Sequence, residues 1–352
     1  VEVNDYHLEL FPFWKLYIEE MGNYTSKFYF PRKYHNEKIK KKYRGGTLGG
    51  NFETIIPRDD LHKLSELTTD MEGELVVFNT YQKPKDNYYH KFIKLVDHLC
   101  QRYTNAIIVF HGYEPNILKE PDTISVLNKF KNSYPLFLHP NLGCHKYGYN
   151  YLNCIPIHSR IENTNILSNC DTINIGIIGT VFPVRNYNMI LEALQLTNKH
   201  DINHKIKIFI IGATPPINHT TFLNNLIQYV NDNNLNTQVI FCLDLPSVNF
   251  KYNLKLLHFI APLPNLLDYY YTTLSGSIPL ALSMSIPLIL PIVMANQYNL
   301  SNQLVYTNHI YEVLLYILHL DDVVYEKLKM DINNCHHQHD LLNKNMFNKL
   351  NM

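Results

Sequence analysis

Apolar residues in this chain fall into short continuous runs, separated by segments where they recur at helical spacing, and that alternation predicts a βα fold built twice over. The clearest unit is Ile173–Leu194, INIGIIGTVFPVRNYNMILEAL. Its first part, Ile173–Ile178, is almost wholly apolar and β-branched, as a parallel strand covered on both faces requires. Gly179 then lets the backbone turn, and from Asn188 the apolar positions Met189, Ile190, Ala193 and Leu194 mark a helix. Such a helix points its partial positive end back at the turn, where Arg185 adds a full charge. Downstream the pattern predicts further strands at Ile206–Ile211, Val239–Cys242, Leu257–Ala261 and Leu288–Leu290, giving one parallel sheet.

Upstream, a strand ends at Val3 and a helix over Leu8–Met21 turns Leu10, Phe11, Trp14, Leu16, Tyr17 and Ile18 to a core. Strands follow at Glu74–Phe78, Ala106–Phe110 and Leu136–Leu138, the first two separated by a helix over Tyr88–Tyr103. Ligands of a parallel sheet gather at the carboxyl ends of its strands. Asp5 and His7 stand after the first strand, Asn79 and Thr80 after the second, and His111, Gly112 and Glu114 after the third. Apolar periodicity is lost over Ile155–Ile175, where Pro156, Asn163, Asn165 and Asn169 collect, so this segment reads as a linker. The expectation is an amino-terminal domain over residues 1–160 and a carboxyl-terminal domain over 161–352, the last helix being free to cross back.

Composition narrows the class. A chain of 352 residues, 46% hydrophobic and 18% charged, is globular and long enough for two cores. With 31 basic and 31 acidic residues the formal charge is zero, which argues against charge-driven binding to nucleic acid or a membrane surface. The basic run Lys38–Arg44 reads as a solvated loop. Six cysteines without CxxC spacing fit a reduced compartment, and no secretory leader is visible, so the expected location is the cytoplasm. The group Cys335, His336, His337 and His339 cannot all face one ion from a helix, and no metal site is expected. Ile278–Ala295 carries no charge and approaches the length of a membrane span, yet Pro279, Pro287 and Pro291 break any continuous helix. A short helix, a turn and a buried strand accommodate them, so no transmembrane segment is expected, while peripheral membrane contact stays open.

The segment Gly179–Leu194, GTVFPVRNYNMILEAL, resembles the donor-binding segment of family 4 glycosyltransferases. Gly179, Pro183, Asn186, Glu192, Ala193 and Leu194 match the family pattern in place. Arg185 takes the position of the family's lysine, a diphosphate clamp, and Thr180 stands where the family has arginine. Lys207–Ala213, KIFIIGA, resembles the second strand with its glycine turn at Gly212; Gln238–Leu243, QVIFCL, resembles the third, whose end at Leu243 meets the nucleobase. Leu274–Leu290 is similar to the helix that normally carries a paired acidic motif, but Leu280 and Thr272 occupy the two acidic positions. Ser275, Gly276 and Ser277 open that helix instead. They offer backbone N–H groups and two hydroxyls to a phosphate, or else an ordinary N-cap.

The resemblance implies an α/β chain of the GT-B fold, two Rossmann-like parallel-sheet domains facing a central cleft. It also implies a transferase that moves a sugar from a UDP- or GDP-type nucleotide-diphosphate sugar to a hydroxyl acceptor, whether glycan, lipid or protein-linked. Neither a metal nor a separate cofactor is implied, and the anomeric configuration is retained. His111 matches the position from which the family places a histidine near the reacting sugar, though a loop histidine without a role is the plain alternative. His7 and Glu9 fall on the acceptor-side loop, Glu9 serving equally as the exposed face of a helix. Asp5 or Glu114 could act as the base. Two other readings stay open, a sugar-nucleotide epimerase and a catalytically inactive GT-B module that binds a glycan or protein.

Overall fold

The computed structural model describes residues 13, 14, 17, 75–78, 81, 83–84, 89–111, 117–138, 152–157, 160, 163–167, 170–199, 205–215, 217–265 and 275–348. The chain divides into two compact units, Val1–Pro156 with Asp340–Met352, and Ile157–His339. The strand ending at Val3 lies outside the described residues, as do Asn79, Thr80 and Gly112; of the helix over Leu8–Met21, Phe13, Trp14 and Tyr17 are described, all helical and buried.

In the first unit, β1 (Leu75–Phe78), β2 (Asn105–Phe110), β3 (Asn132–Phe137) and β4 (Leu152–Asn153) form one sheet in that order, every pair parallel. Between β1 and β2 runs α1 (Tyr89–Leu99), and α2 (Pro121–Leu127) precedes β3. Ile107 and Val109 are buried on one face of β2, and Ala106, Ile108 and Phe110 on the other, which is why this strand reads as a continuous apolar run. Phe92, Leu95, Val96 and Leu99 bring the apolar stripe of α1 onto that sheet. Strand β3 begins four residues earlier than its hydrophobic run and contains Pro135. Leu138 N–H donates to Phe110 O, so by alternation the Pro135 nitrogen faces the other side. On that side the described pairing with β4 starts at Leu136, so among the described residues the missing N–H breaks no ladder bond.

The second unit carries β5 (Thr172–Ile178), α3 (Tyr187–Thr197), β6 (Lys205–Gly212), α4 (Thr220–Asp232), β7 (Val239–Leu243), α5 (Ser247–Lys255) and β8 (Phe259–Ile260). It continues with α6 (Ser277–Met284), β9 (Ile289–Pro291), α7 (Ile292–Gln297), β10 (Leu304–Tyr306), α8 (Tyr311–Leu318) and α9 (Asp322–Asn348). Strand order is β7-β6-β5-β8, all parallel, and a parallel bridge from Ile260 to Leu288 carries the sheet on to the parallel pair β9 and β10. Counted from β5, the order is 3-2-1-4-5-6, the doubly wound dinucleotide-binding arrangement, whose ligand crevice opens where the order reverses. Here that point lies between β5 and β8. Ile173, Ile175, Ile177, Ile206, Ile208 and Ile210 line the core together with Ile190, Leu191 and Leu194 of α3.

The uncharged stretch Ile278–Ala295 forms α6, a left-handed cap at Ser285, β9 and the start of α7, as its prolines required. No helix among the described residues is long and apolar enough to cross a membrane. Within Ile155–Ile175, Asn163 Nδ2 donates to Leu257 O and Asn165 Nδ2 to the carbonyls of Lys255 and Leu257, which ties this part of the segment into the second unit. Helix α9 starts in that unit, while its last turns belong to the first. There Asn343 Nδ2 donates to Ile155 O at 2.9 Å, Tyr17 Oη donates to the Asp340 carboxylate at 2.8 Å, and Phe347 stacks on Tyr17.

Two buried histidines make the fold acid-sensitive. His258 is 2% exposed, and its Nδ1 accepts the Asn174 N–H, which fixes the neutral tautomer. Burial lowers its pKa from 6.5 to about 4; burial and then the charge of His336 lower that of His339 to about 4. The unfolded chain takes up both protons near pH 6.5, whereas the folded chain resists them until pH 4. Stability is therefore full above pH 6.5 and lost as pH falls through that window, by up to ~3 kcal/mol per histidine. Replacing His258 with Asn keeps an acceptor for Asn174 and is expected to remove about half of the loss in urea midpoint between pH 7 and pH 4.5. Parallel curves for the two proteins would contradict this.

Candidate functional site

The site is built on the two strands that flank the reversal of strand order. Gly179, the first residue after β5, has φ +125°, a conformation that glycine adopts at little cost. Its N–H donates to Ile211 O, and Val181 N–H donates to Ala213 O, so the turn leaving β5 is sewn to the end of β6. Gly212 ends β6 so close beneath it that a Cβ there would run into Gly179 O. The two glycines together let two backbones meet under the site.

Arg185 lies over this glycine contact, and a Cβ on Gly179 would strike its Nη2. Its Nη1 donates to Pro262 O at 2.8 Å, just beyond β8. The surrounding loop is tied to the same segment: Asn186 N–H donates to Leu263 O, Asn265 N–H donates to Val184 O, and Arg185 bridges Pro264. The guanidinium is thereby held across the crevice. Its Nε is buried and, among the described residues, has no hydrogen-bond partner. An orphaned donor on a cation is costly unless an acceptor arrives. A phosphate oxygen supplies one, and the planar fork can engage two oxygens at once.

Helix α3 begins one residue before its hydrophobic periodicity, and Asn186 is its N-cap, accepting Met189 N–H at 3.2 Å. Asn186 N–H donates to Leu263 O and Tyr187 N–H to Arg185 O, so these two donors of the α3 start are taken up within the protein. Helix α6 offers a second helix start at the turn. Ser277 Oγ donates to Ile178 O at 3.1 Å and fastens the helix to the residue before Gly179. Ser275 Oγ donates to Ser277 Oγ, and both serines are buried, 3% and 2% exposed. In the protein alone the two hydroxyls are tied internally, and Gly276 holds the N-cap position without a side-chain cap. Among the described residues the N–H groups of Gly276 and Ser277 make no hydrogen bond, so the helix start still presents backbone donors to an anion.

Thr180 is half-buried on the turn, Gly212 and Leu243 end β6 and β7, and Leu280 is half-buried on α6. His111 directly follows β2 of the first unit and is half-buried. Asp5, His7, Glu9, Glu114 and Thr272 lie outside the described residues. Among the described residues no group of three His, Cys, Asp or Glu side chains is placed to hold a metal ion. Sequence reasoning missed Asp244, whose carboxylate takes the N–H and hydroxyl of Thr214 at 3.2 and 2.6 Å. The only local signal was an aspartate directly after a strand.

No protein-family model matches the sequence, and no curated protein sequence matches it. Solved structures do match the fold. HepE of Anabaena in complex with UDP and glucose is 10% identical over 83% of this chain and 80% of its own, with TM-score 0.58. A glycosyltransferase from Rickettsia africae is 11% identical over 92% of this chain and 99% of its own, with TM-score 0.55. A trehalose-6-phosphate synthase studied for glycosyl transfer with retention is 10% identical over 86% and 83%, with TM-score 0.51. The fold of this chain is that of the GT-B glycosyltransferases, with parallel sheets in both units.

Proposed function

We propose that the protein is a glycosyltransferase that takes a sugar from a UDP- or GDP-type nucleotide-diphosphate sugar and passes it to a hydroxyl acceptor on a glycan, lipid or protein. The observation that carries this reading is the Arg185 guanidinium, bound on one side to Pro262 O, its buried Nε unpartnered, at the reversal point of a dinucleotide-type sheet. The likeness to HepE, seen with UDP and glucose, supports the donor class.

In this reading the diphosphate lies against Arg185, the turn at Gly179 and Thr180, and the backbone N–H groups of Gly276 and Ser277. All of these strengthen as negative charge grows on the leaving group, so they lower the barrier as well as binding the donor. Fixed positive charge makes a metal dispensable, and the transfer retains configuration. Residues of the first unit serve the acceptor side: His111 as hydrogen-bond donor to the sugar or leaving phosphate, Asp5 or Glu114 as base, and His7 and Glu9 along the acceptor loop. The cytoplasm is the assigned location.

The test is release of nucleoside diphosphate from a panel of UDP-, GDP- and ADP-sugars, with and without EDTA and with simple glycan acceptors. At least one donor is expected to turn over at the same rate in EDTA. Nucleotide binding without turnover of any donor would favour the inactive binding module.

A further inference from the structure

We propose that Asp244 is a positioning residue for the nucleoside half of the donor, a proposal that rests on the nucleotide-sugar reading above. In a sheet of this strand order the first three strands hold one mononucleotide, its phosphate at the first βα turn and its nucleoside toward the second strand. Counted from β5, those strands are β5, β6 and β7. With the phosphates at Gly179 and Arg185, the nucleoside lies over the ends of β6 and β7, where Gly212 to Pro215 and Leu243 to Asp244 leave the sheet.

Asp244 joins these two ends. Its own N–H donates to Gly212 O at 2.8 Å, while its carboxylate accepts Thr214 N–H at 3.2 Å and Thr214 Oγ–H at 2.6 Å. The loop after β6 is thus gripped at both Gly212 and Thr214 by one residue. To do so Asp244 adopts φ +50°, the left-handed region that glycine enters at least cost and that aspartate enters with the help of local hydrogen bonds. Both Asp244 and Thr214 are exposed, and hydrogen bonds between exposed groups contribute little to folding. Stability alone therefore favours glycine at this position. An aspartate in place of glycine that orders an exposed loop at the carboxyl ends of β6 and β7 fits a role in presenting that loop to a ligand. What it presents is the backbone edge of Ala213 to Pro215, held at a fixed height over the sheet.

Two variants test this without threatening the fold. Asp244→Gly keeps the left-handed backbone and removes the carboxylate; Asp244→Asn keeps one acceptor for the Thr214 N–H. Binding of UDP, GDP and inorganic pyrophosphate is measured by calorimetry alongside the melting temperature. Asp244→Gly is expected to weaken the preferred nucleoside diphosphate about tenfold, with pyrophosphate affinity unchanged and melting temperature unchanged or raised, and Asp244→Asn to recover part of the loss. Equal weakening of pyrophosphate, a fall in melting temperature that accounts for the loss, or wild-type affinity in Asp244→Gly would each overturn the assignment. Wild-type protein that binds pyrophosphate but neither diphosphate would instead overturn the donor reading itself.

Discussion

Replacing Arg185 with Ala is expected to lower kcat/KM for the sugar donor by about 100- to 1,000-fold, ~3–4 kcal/mol of transition-state stabilisation, with most of the loss in kcat. The guanidinium is the one described cation on the β5 turn, and it is pinned to Pro262 O rather than swinging in solvent. Removing it takes away a preorganised charge that strengthens as the diphosphate leaves. It also frees Pro262 O and opens space above Gly179, so a modest fall in stability accompanies the loss. Arg185→Lys restores the charge but not the fork: an ammonium cannot hold Pro262 O and two phosphate oxygens in one plane. Lysine is therefore expected to recover only about tenfold of the lost rate. Steady-state kinetics on the best donor checks both variants, and an Arg185→Ala protein that transfers sugar at the wild-type rate would sink the clamp.

The second large effect falls on stability. A Cβ on Gly212 meets the Gly179 carbonyl oxygen, and both atoms belong to backbone, so no side chain can swing aside. Gly212→Ala must push β6 away from the turn after β5 and break bonds such as Gly179 N–H to Ile211 O. Overpacking with a backbone shift costs about 3 kcal/mol. The same displacement carries Thr214 and the turn under Arg185, so donor affinity falls with stability. Urea unfolding measures the first consequence, and a midpoint unchanged from wild type would show that the two backbones can part at no cost.

Much of the second unit was legible in sequence, for a physical reason. Strands β5 and β6 lie inside the sheet and are covered on both faces, so they read as unbroken apolar runs, and the edge strand β7 is apolar enough to read the same way. Strands β4 and β10 have two and three residues, too few to show a period, and none was predicted there. The start of β3 is hidden because Asn132, Ser133 and Pro135 resemble a loop, and only their pairing with β2 makes them a strand. At the site, Arg185 stood out because a cation in a glycine turn between strand and helix is local information. Its partner Pro262 is 77 residues away and offers only a carbonyl, which no sequence pattern marks. For Ser275 and Ser277 the sequence leaves phosphate donor and N-cap open, because their burial and the tie to Ile178 O depend on how α6 packs. Asp244 went unnoticed because its role arises from a contact with Thr214, 30 residues earlier.

The most direct test of the central claim is calorimetric titration of the protein with UDP and GDP, in EDTA, with Arg185→Ala in parallel. Saturable binding of at least one of them by the wild type, weakened at least tenfold in the variant, is the predicted result. If neither nucleotide binds, or if one binds equally well without Arg185, the crevice between β5 and β8 is not a nucleotide-sugar site.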